Sequence, residues 1–189
     1  MKTTTRLMFL AAALCAASAC TPSQSDPWAD AIGVAVRADT KLPIHVETAV
    51  RTDSTTFATE FHRRTGIYEL RIRQNKGRRE KYLDEKMPTN ARRMEDAIAK
   101  DRMILAGLDS LKQRMGGDTA RIAYYDYVFE YCTADDKGRK TVPKKAYATV
   151  TPDRRVLTWS PNRRDIHKTT GLVIPGYRKL LDDLKEPED

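Results

Sequence analysis

Residues 90–133, NARRMEDAIAKDRMILAGLDSLKQRMGGDTARIAYYDYVFEYCT, decide the fold because they contain one clear helix followed by one clear strand. In the first part, apolar residues recur three and four positions apart, which is the spacing of a helix with one buried face. The apolar stripe consists of Met94, Ala97, Ile98, Ile104, Leu105, Leu108, Leu111 and Met115. The pattern predicts a long helix capped by Thr89 or Asn90 and running to about Met115, where Gly116-Gly117 ends it.

The second part of this stretch predicts a strand from Arg121 to Thr133, because aromatic residues alternate with other side chains. The aromatic row consists of Tyr125, Tyr127, Phe129 and Tyr131. Aromatic side chains bury a large apolar area and dominate the cores in which they lie. We therefore expect the aromatic row to face the long helix.

Upstream of the helix, the period of the apolar residues changes to two between Leu42 and Gln74. Turns at residues 52–55 and 65–66 would pair three segments so that one face is apolar. That face would hold Val46, Val50, Phe57, Phe61, Tyr68, Leu70 and Ile72. A register change of one residue would expose all of them, so this segment predicts a three-stranded meander. A short helix is predicted before it, from Trp28 to Val36.

Downstream of residue 133, two further strands are predicted at Lys145–Thr151 and Val156–Trp159, joined by the turn residues Thr151-Pro152-Asp153-Arg154. A short strand at Leu172–Ile174 and a terminal helix after Pro175-Gly176 complete the pattern. Without the short strand, the predicted order is α-β-β-β-α-β-β-β-α. This is an α+β fold in two layers, with a mostly antiparallel sheet and one long helix packed on one face, formed as a single domain by residues 28–189.

The first twenty residues have the composition of a secretory signal. Lys2 and Arg6 precede the apolar run from Leu7 to Ala17, and small residues follow it. This run is too short to cross a bilayer core of about 30 Å as a permanent helix. The sequence therefore predicts an exported protein with a signal peptide at residues 1–19.

The residues Ala17-Ser18-Ala19-Cys20 place a cysteine directly after the small residues, which resembles a bacterial lipoprotein signal peptide. The resemblance implies cleavage before Cys20 and attachment of lipid, such as palmitate, to its thiol and new amino group. Residues 20–27 would then form a lipid-anchored tether. Thr21 stands where an aspartate would retain a lipoprotein at the inner membrane, which implies an outer-membrane anchor facing the periplasm or the cell surface. The alternative is an ordinary signal peptide cut after Ala19, with Cys20 incidental.

Charge narrows the range of partners. Two basic residues leave with the signal peptide, so residues 20–189 keep 32 Lys and Arg against 26 Asp and Glu, a net charge of +6. An exported protein is not expected to bind nucleic acid, so the expected partners are anionic lipid headgroups, an anionic envelope polymer or an envelope protein. Residues 75–88 are predicted to be an exposed loop. Its charges either contact an anionic surface or are merely solvated. The loop's candidate contacts with an anionic surface are Lys76, Arg78, Arg79 and Lys81.

Catalytic and metal-binding patterns are scarce. The sequence contains no G-x-S-x-G, H-E-x-x-H or glycine-rich phosphate loop. The meander register would place His45 beside His62 and Glu47 beside Glu60, a set of zinc-ligand types. It would also place Arg71 opposite Glu60, which indicates a charged outer face. We expect no metal and no cofactor.

Two buried groups are also predicted. Cys132 is the one thiol left after residue 20, and its place in the strand favours burial over reactivity. Asp101 interrupts the apolar stripe of the helix, so it lies either at the edge in water or buried with a partner. With Tyr125 and Tyr127 it would line a ligand pocket between helix and sheet. The alternative is that both tyrosines are core residues.

Three functions remain open on these observations. The first is a non-catalytic, membrane-anchored binding module, which the anchor and the missing catalytic motifs favour. The second is a small-ligand carrier with the Asp101 pocket. The third is a hydrolase, which requires His45, His62 or His167 to meet a carboxylate in a cleft.

Overall fold

A computed structural model describes residues 27–134 and 139–184, so the predicted signal peptide, Cys20 and all of the tether except Pro27 lie outside the described residues. The described part is an α+β fold, as predicted, with four α-helices and a four-stranded antiparallel sheet. Its elements are α1 (Pro27–Thr40), β1 (Ile44–Thr56), α2 (Phe57–Asp84), α3 (Pro88–Met115), β2 (Ile122–Thr133), β3 (Lys144–Val150), β4 (Val156–Ser160) and α4 (Tyr177–Asp183). Short 3-10 helices occupy Gly116–Ala120 and Thr170–Val173.

The helix and strand of residues 90–133 are confirmed as α3 and β2. Gly116 ends α3 with a φ of 50°, a conformation that glycine adopts without the steric penalty of a Cβ. The predicted cap is wrong, because the N-cap is Met87 and Pro88 begins the helix. Proline suits that first position because its missing N–H has no partner there in any helix.

Only the first strand of the predicted three-stranded meander is present in the described structure, and the rest of that prediction is wrong. β1 passes directly into α2, and the Thr56 hydroxyl caps this helix by accepting a hydrogen bond from the Thr59 backbone N–H at 3.2 Å. Phe57 and Phe61 were assigned to a strand, but a spacing of four residues fits a helical face as well as an alternating one. The predicted loop at residues 75–88 is also wrong, because residues 75–84 are the last turns of α2.

The sheet has the strand order β1-β2-β3-β4, and α1 packs on its aromatic face. Phe129 lies opposite Ala49 on β1 and Ala146 on β3, and Ile32 and Val36 of α1 cover this side. The aromatic row therefore faces α1 and not the long helix. The reason is that α2 and α3 are equally long and pair with each other, which leaves this face free for α1.

A second core lies among the helices α2, α3 and α4. Its buried members are Phe61, Tyr68, Ile104, Leu108, Leu111, Ile174 and Tyr177. The terminal helix is confirmed, while the short strand predicted at Leu172–Ile174 is wrong because a 3-10 helix occupies Thr170–Val173. The strands β3 and β4 and the turn between them are confirmed, with Arg154 at a φ of 65° in that turn.

β1 is a strand of 13 residues at one edge of the described sheet, where it pairs with β2, and its register shifts three times. The shifts fall between Val46 and Thr48, between Arg51 and Asp53, and at Thr55. Most of its side chains are exposed. Such irregularities bend a strand and increase its twist.

The cap at Thr56 gives a direct test of the strand-to-helix junction. We expect Thr56→Ala to lower the free energy of unfolding by about 1 kcal/mol, because one backbone N–H of α2 loses its acceptor. Urea denaturation measures this loss. Thr89→Ala is the matched control, because Thr89 is exposed inside α3 and caps nothing, and it should change stability by less than about 0.5 kcal/mol. Equal losses in both variants would contradict the junction described here.

Candidate functional site

The sheet and the helical core meet at a buried carboxylate, Glu60, in the first turn of α2. Its side chain is fully buried and accepts four hydrogen bonds. Oε1 accepts from Arg64 Nε at 2.7 Å and from the Thr170 hydroxyl at 3.0 Å. Oε2 accepts from Arg63 Nη1 and from the Tyr124 hydroxyl, both at 2.9 Å. A buried carboxylate is stable only with such a complete set of donors.

Arg64 extends this network to the segment after β4. Its Nη2 donates to the His167 carbonyl and to the Thr170 hydroxyl, both at 2.8 Å, and its Nη1 donates to the Lys168 carbonyl at 3.3 Å. Gly171 lies against the same guanidinium, where an added Cβ would come within 2.5 Å of Nε. The network therefore joins α2, β2 and residues 167–171 with every oxygen of Glu60 occupied, which indicates a structural role.

His167 lies at the rim of this network, beside a carboxylate of β2. Arg63 Nη1 is 3.4 Å from His167 Nδ1, and because a guanidinium only donates, Nδ1 must accept. The ring proton is then on Nε2, which is 3.5 Å from Asp126 Oδ2. Burial, followed by the positive charge of Arg63, lowers the pKa of His167. A neutral imidazole with both nitrogens engaged has no free site for proton transfer to a substrate.

Asp126 and Thr149 form a polar patch on the sheet face away from α1. The two residues are cross-strand partners, so their side chains share one face. Among the described residues, neither Asp126 Oδ1 nor Thr149 Oγ1 has a hydrogen-bond partner, although both atoms are buried. Burial, followed by the charge of Asp53, raises the pKa of Asp126 to about 6. Unsatisfied buried groups of this kind often mark a place for water or a ligand.

The predicted basic cluster lies on the hairpin of α2 and α3. Lys76, Arg78 and Lys81 are exposed, whereas Arg79 is half-buried and pairs with Glu95 of α3 at 2.6 Å. We call residues 70–102 the outer hairpin. It carries 11 Lys and Arg against 6 Asp and Glu, a net charge of +5, so it holds most of the net charge of residues 20–189.

Asp101 does not lie near Tyr125 and Tyr127, with which it is predicted to line a pocket. It is fully buried between α2 and α3, and Arg71 Nη2 lies 3.1 Å from its Oδ1 as an ion pair. Tyr125 and Tyr127 pack in the core beneath α1, where the rings of Tyr125 and Trp28 form a T-shaped contact. The predicted pocket is therefore wrong, because α3 pairs with α2 and does not lie on the aromatic face.

The remaining candidates are also separated. His45 lies on β1 opposite Cys132, and His62 is exposed on α2, so the expected pair of histidines is wrong. Glu47 pairs with Lys140 at 2.8 Å and not with Glu60. Cys132 is buried, as predicted. Within residues 27–134 and 139–184, no three histidine, cysteine or acidic side chains group as metal ligands.

The Glu60 network was missed because its region was assigned to strands. A helix would have placed Glu60 and Arg64 four residues apart on one face, which is the spacing of a helical ion pair. Tyr124 directly precedes Tyr125 of the aromatic row, so its side chain points to the opposite face of β2. No pattern in the sequence around Thr170 predicts its contact with Glu60, because that contact depends on how the chain folds back after β4.

Comparison with known proteins gives no relative: no family model, no curated protein and no solved structure matches the chain. In the part of the chain that the structure describes, no helix is both long enough and apolar enough to cross a bilayer. The function is therefore inferred from the residues themselves.

Removing the central carboxylate tests the structural role of the network. We expect Glu60→Ala to destabilise the protein by about 3–5 kcal/mol, because it leaves the buried Arg64 guanidinium unpaired. The matched control is Glu95→Ala, which removes an exposed carboxylate from the ion pair with Arg79 and should cost less than about 1 kcal/mol. Urea denaturation of both variants decides the comparison, and a Glu60→Ala loss no larger than the control's would contradict this role.

Proposed function

We propose that this protein is a lipoprotein of the bacterial cell envelope, anchored in the outer membrane through lipid on Cys20, and that it acts as a non-catalytic binding module. The outer hairpin is the surface that binds, and its partner is an anionic component of the envelope, either lipid headgroups or an acidic polymer. The observation that carries the binding role is the concentration of positive charge on this one projecting structure.

The shape of the hairpin supports a role in binding. The side chains that pack against the rest of the fold lie at positions 61–68 of α2 and 104–111 of α3. From residue 70, α2 continues for about 20 Å, at 1.5 Å per residue. The ion pairs Arg71–Asp101 and Arg79–Glu95 join its two helices to each other. The cations of the outer hairpin are therefore held on a preformed helical arm, which reduces the entropy lost on binding.

A groove between the helices adds to this surface. It has a volume of about 360 Å³ and is lined by Lys76, Arg79, Glu95, Ile98, Ala99 and Arg102. Three of these six side chains are cationic and one is acidic. Positive charge on a rigid arm attracts anionic surfaces over about a Debye length, so this binding should weaken as salt is added.

The non-catalytic part of the proposal is supported by the geometry around His167. His167 lies beside a carboxylate and lines a depression, as the hydrolase alternative requires, but both ring nitrogens are engaged by Arg63 and Asp126. A general base needs a free nitrogen directed at a substrate or water. These contacts thus favour a structural role for His167, in which it holds its loop in place.

The anchor is tested by mass spectrometry of the mature protein isolated from the envelope. We expect the N-terminal residue to be Cys20, with added mass from acyl chains on its sulfur and its amino group. Cys20→Ser should abolish both the cleavage and the added mass, while Cys15→Ser is the control and should change neither. A mature protein that starts elsewhere, or that starts at Cys20 without acyl mass, would refute the anchor.

The binding surface is tested with the chain from residue 21, which carries neither signal peptide nor lipid. We expect it to co-sediment with vesicles containing phosphatidylglycerol and not with pure phosphatidylcholine vesicles, with binding lost as salt rises. The combined change Lys76→Glu, Arg78→Glu and Lys81→Glu should weaken binding at least about tenfold, since each cation near an anionic surface contributes about 1 kcal/mol.

The matched control reverses three exposed charges away from the outer hairpin: Lys144→Glu, Lys145→Glu and Arg178→Glu. It changes the net charge of the chain by the same amount. Equal weakening in both triple variants would mean that net charge alone causes binding, and the outer hairpin would lose its assigned role. A further outcome is that the protein binds an acidic polysaccharide and not the anionic vesicles. If that binding has the same dependence on Lys76, Arg78 and Lys81, the partner is the polymer.

A further inference from the structure

A second surface lies at the opposite end of α2, where the segment after β4 folds over the sheet. It is a shallow depression of about 600 Å³ lined by Tyr147, Pro161, Asn162, Arg163, Arg164 and His167. We infer that this depression is a binding site for a small ligand that carries a phosphate or carboxylate group. The site is separate from the outer hairpin and does not depend on the function proposed for it.

The loop that forms the depression is held by its own hydrogen bonds. The Ser160 hydroxyl accepts from the Asn162 backbone N–H at 3.0 Å, and Asn162 Oδ1 accepts from the Arg164 backbone N–H at 3.1 Å. The Asn162 carbonyl accepts from the Asp165 backbone N–H, also at 3.1 Å. The backbone that carries Arg163 and Arg164 is therefore preformed, and little order is lost when a ligand binds.

The charges around the loop leave two guanidinium groups available. Asp165 forms an ion pair with Lys168 at 2.7 Å, so this carboxylate is already matched. Within the described residues, neither Arg163 nor Arg164 forms an ion pair or a side-chain hydrogen bond. Guanidinium groups present donors in a planar fork that matches the oxygens of phosphate and carboxylate, so two adjacent ones favour such an anion.

The walls of the depression suit the body of a ligand as well as its charge. Burial and the charge of Arg63 lower the pKa of His167, which favours the neutral imidazole, so His167 contributes ring surface to the lining. Tyr147 and Pro161, which also line the depression, provide further apolar area. A ligand with a ring attached to its anionic group would thus gain contacts that a bare anion cannot make.

Besides Asp165, a second carboxylate lies near this site, and its position is compatible with an anionic ligand. Asp126 lies 3.5 Å from His167 Nε2, and it does not line the depression. The charges of Arg63 and Arg163 both act on Asp126. The negative charge of Asp126 is therefore partly offset by two cations.

Isothermal titration calorimetry on the full-length chain in detergent tests the site with four compounds. Inorganic phosphate and glucose 1-phosphate should bind, and glucose 1-phosphate should bind more tightly. Glucuronate tests the carboxylate form of the anion, and uncharged glucose should not bind. The pair Arg163→Gln and Arg164→Gln should weaken binding of each anion at least about tenfold. The control pair, Lys144→Gln and Lys145→Gln, removes two exposed cations of β3 and should leave binding unchanged.

The outcomes separate this site from the outer hairpin. No binding by the wild-type chain, or equal weakening by both double variants, would overturn the inference, because the anion would then respond to overall charge only. Tyr147→Leu should weaken glucose 1-phosphate binding and spare inorganic phosphate. The vesicle binding of the Arg163→Gln, Arg164→Gln variant should equal that of wild type, so the two surfaces can fail independently of each other.

Discussion

The fold depends on one fully buried carboxylate. Glu60 lies where the sheet, the long helices and the segment after β4 converge, and each of these contributes a donor to it. A buried charge that loses a partner is costly, so these donors must arrive together. The arrangement of the two hydrophobic cores relative to each other is therefore set by a polar contact, while each core is held together internally by apolar packing.

That contact determines the direction of α2. Because Glu60, Arg63 and Arg64 fix its first two turns against β2 and residues 167–171, the rest of the helix must leave the sheet, and α3 returns alongside it. Among the described elements, α1 then covers the aromatic face of the sheet. Both proposed binding surfaces follow from this geometry, since one lies on the outer hairpin and the other lies next to the Glu60 network at the base of α2.

Much of this fold could be predicted from the sequence, and the failures have a common origin. α3 and β2 have unambiguous periods, whereas the region after Thr56 contains Phe57 and Phe61 four residues apart, a spacing that a strand and a helix share. This misassignment had a second consequence. Because α2 was predicted as strands, Arg71 could not be recognised as the partner of Asp101. Lys76, Arg78 and Lys81 were correctly identified as exposed, because solvation of charged side chains does not depend on the secondary structure that carries them. The contacts of His167 could not be predicted, since Arg63 and Asp126 are far from it along the chain, 104 positions in the case of Arg63.

The irregular register of β1 has a consequence for a protein that, under the proposed function, is concentrated on a membrane. A straight edge strand of 13 residues would offer a row of unpaired backbone groups to its neighbours, and molecules crowded in two dimensions would meet edge to edge repeatedly. Three register shifts and a mostly charged or polar sequence make that edge a poor template for another strand. The same bends that complicate its pairing with β2 thus protect the molecule from fibrous self-association.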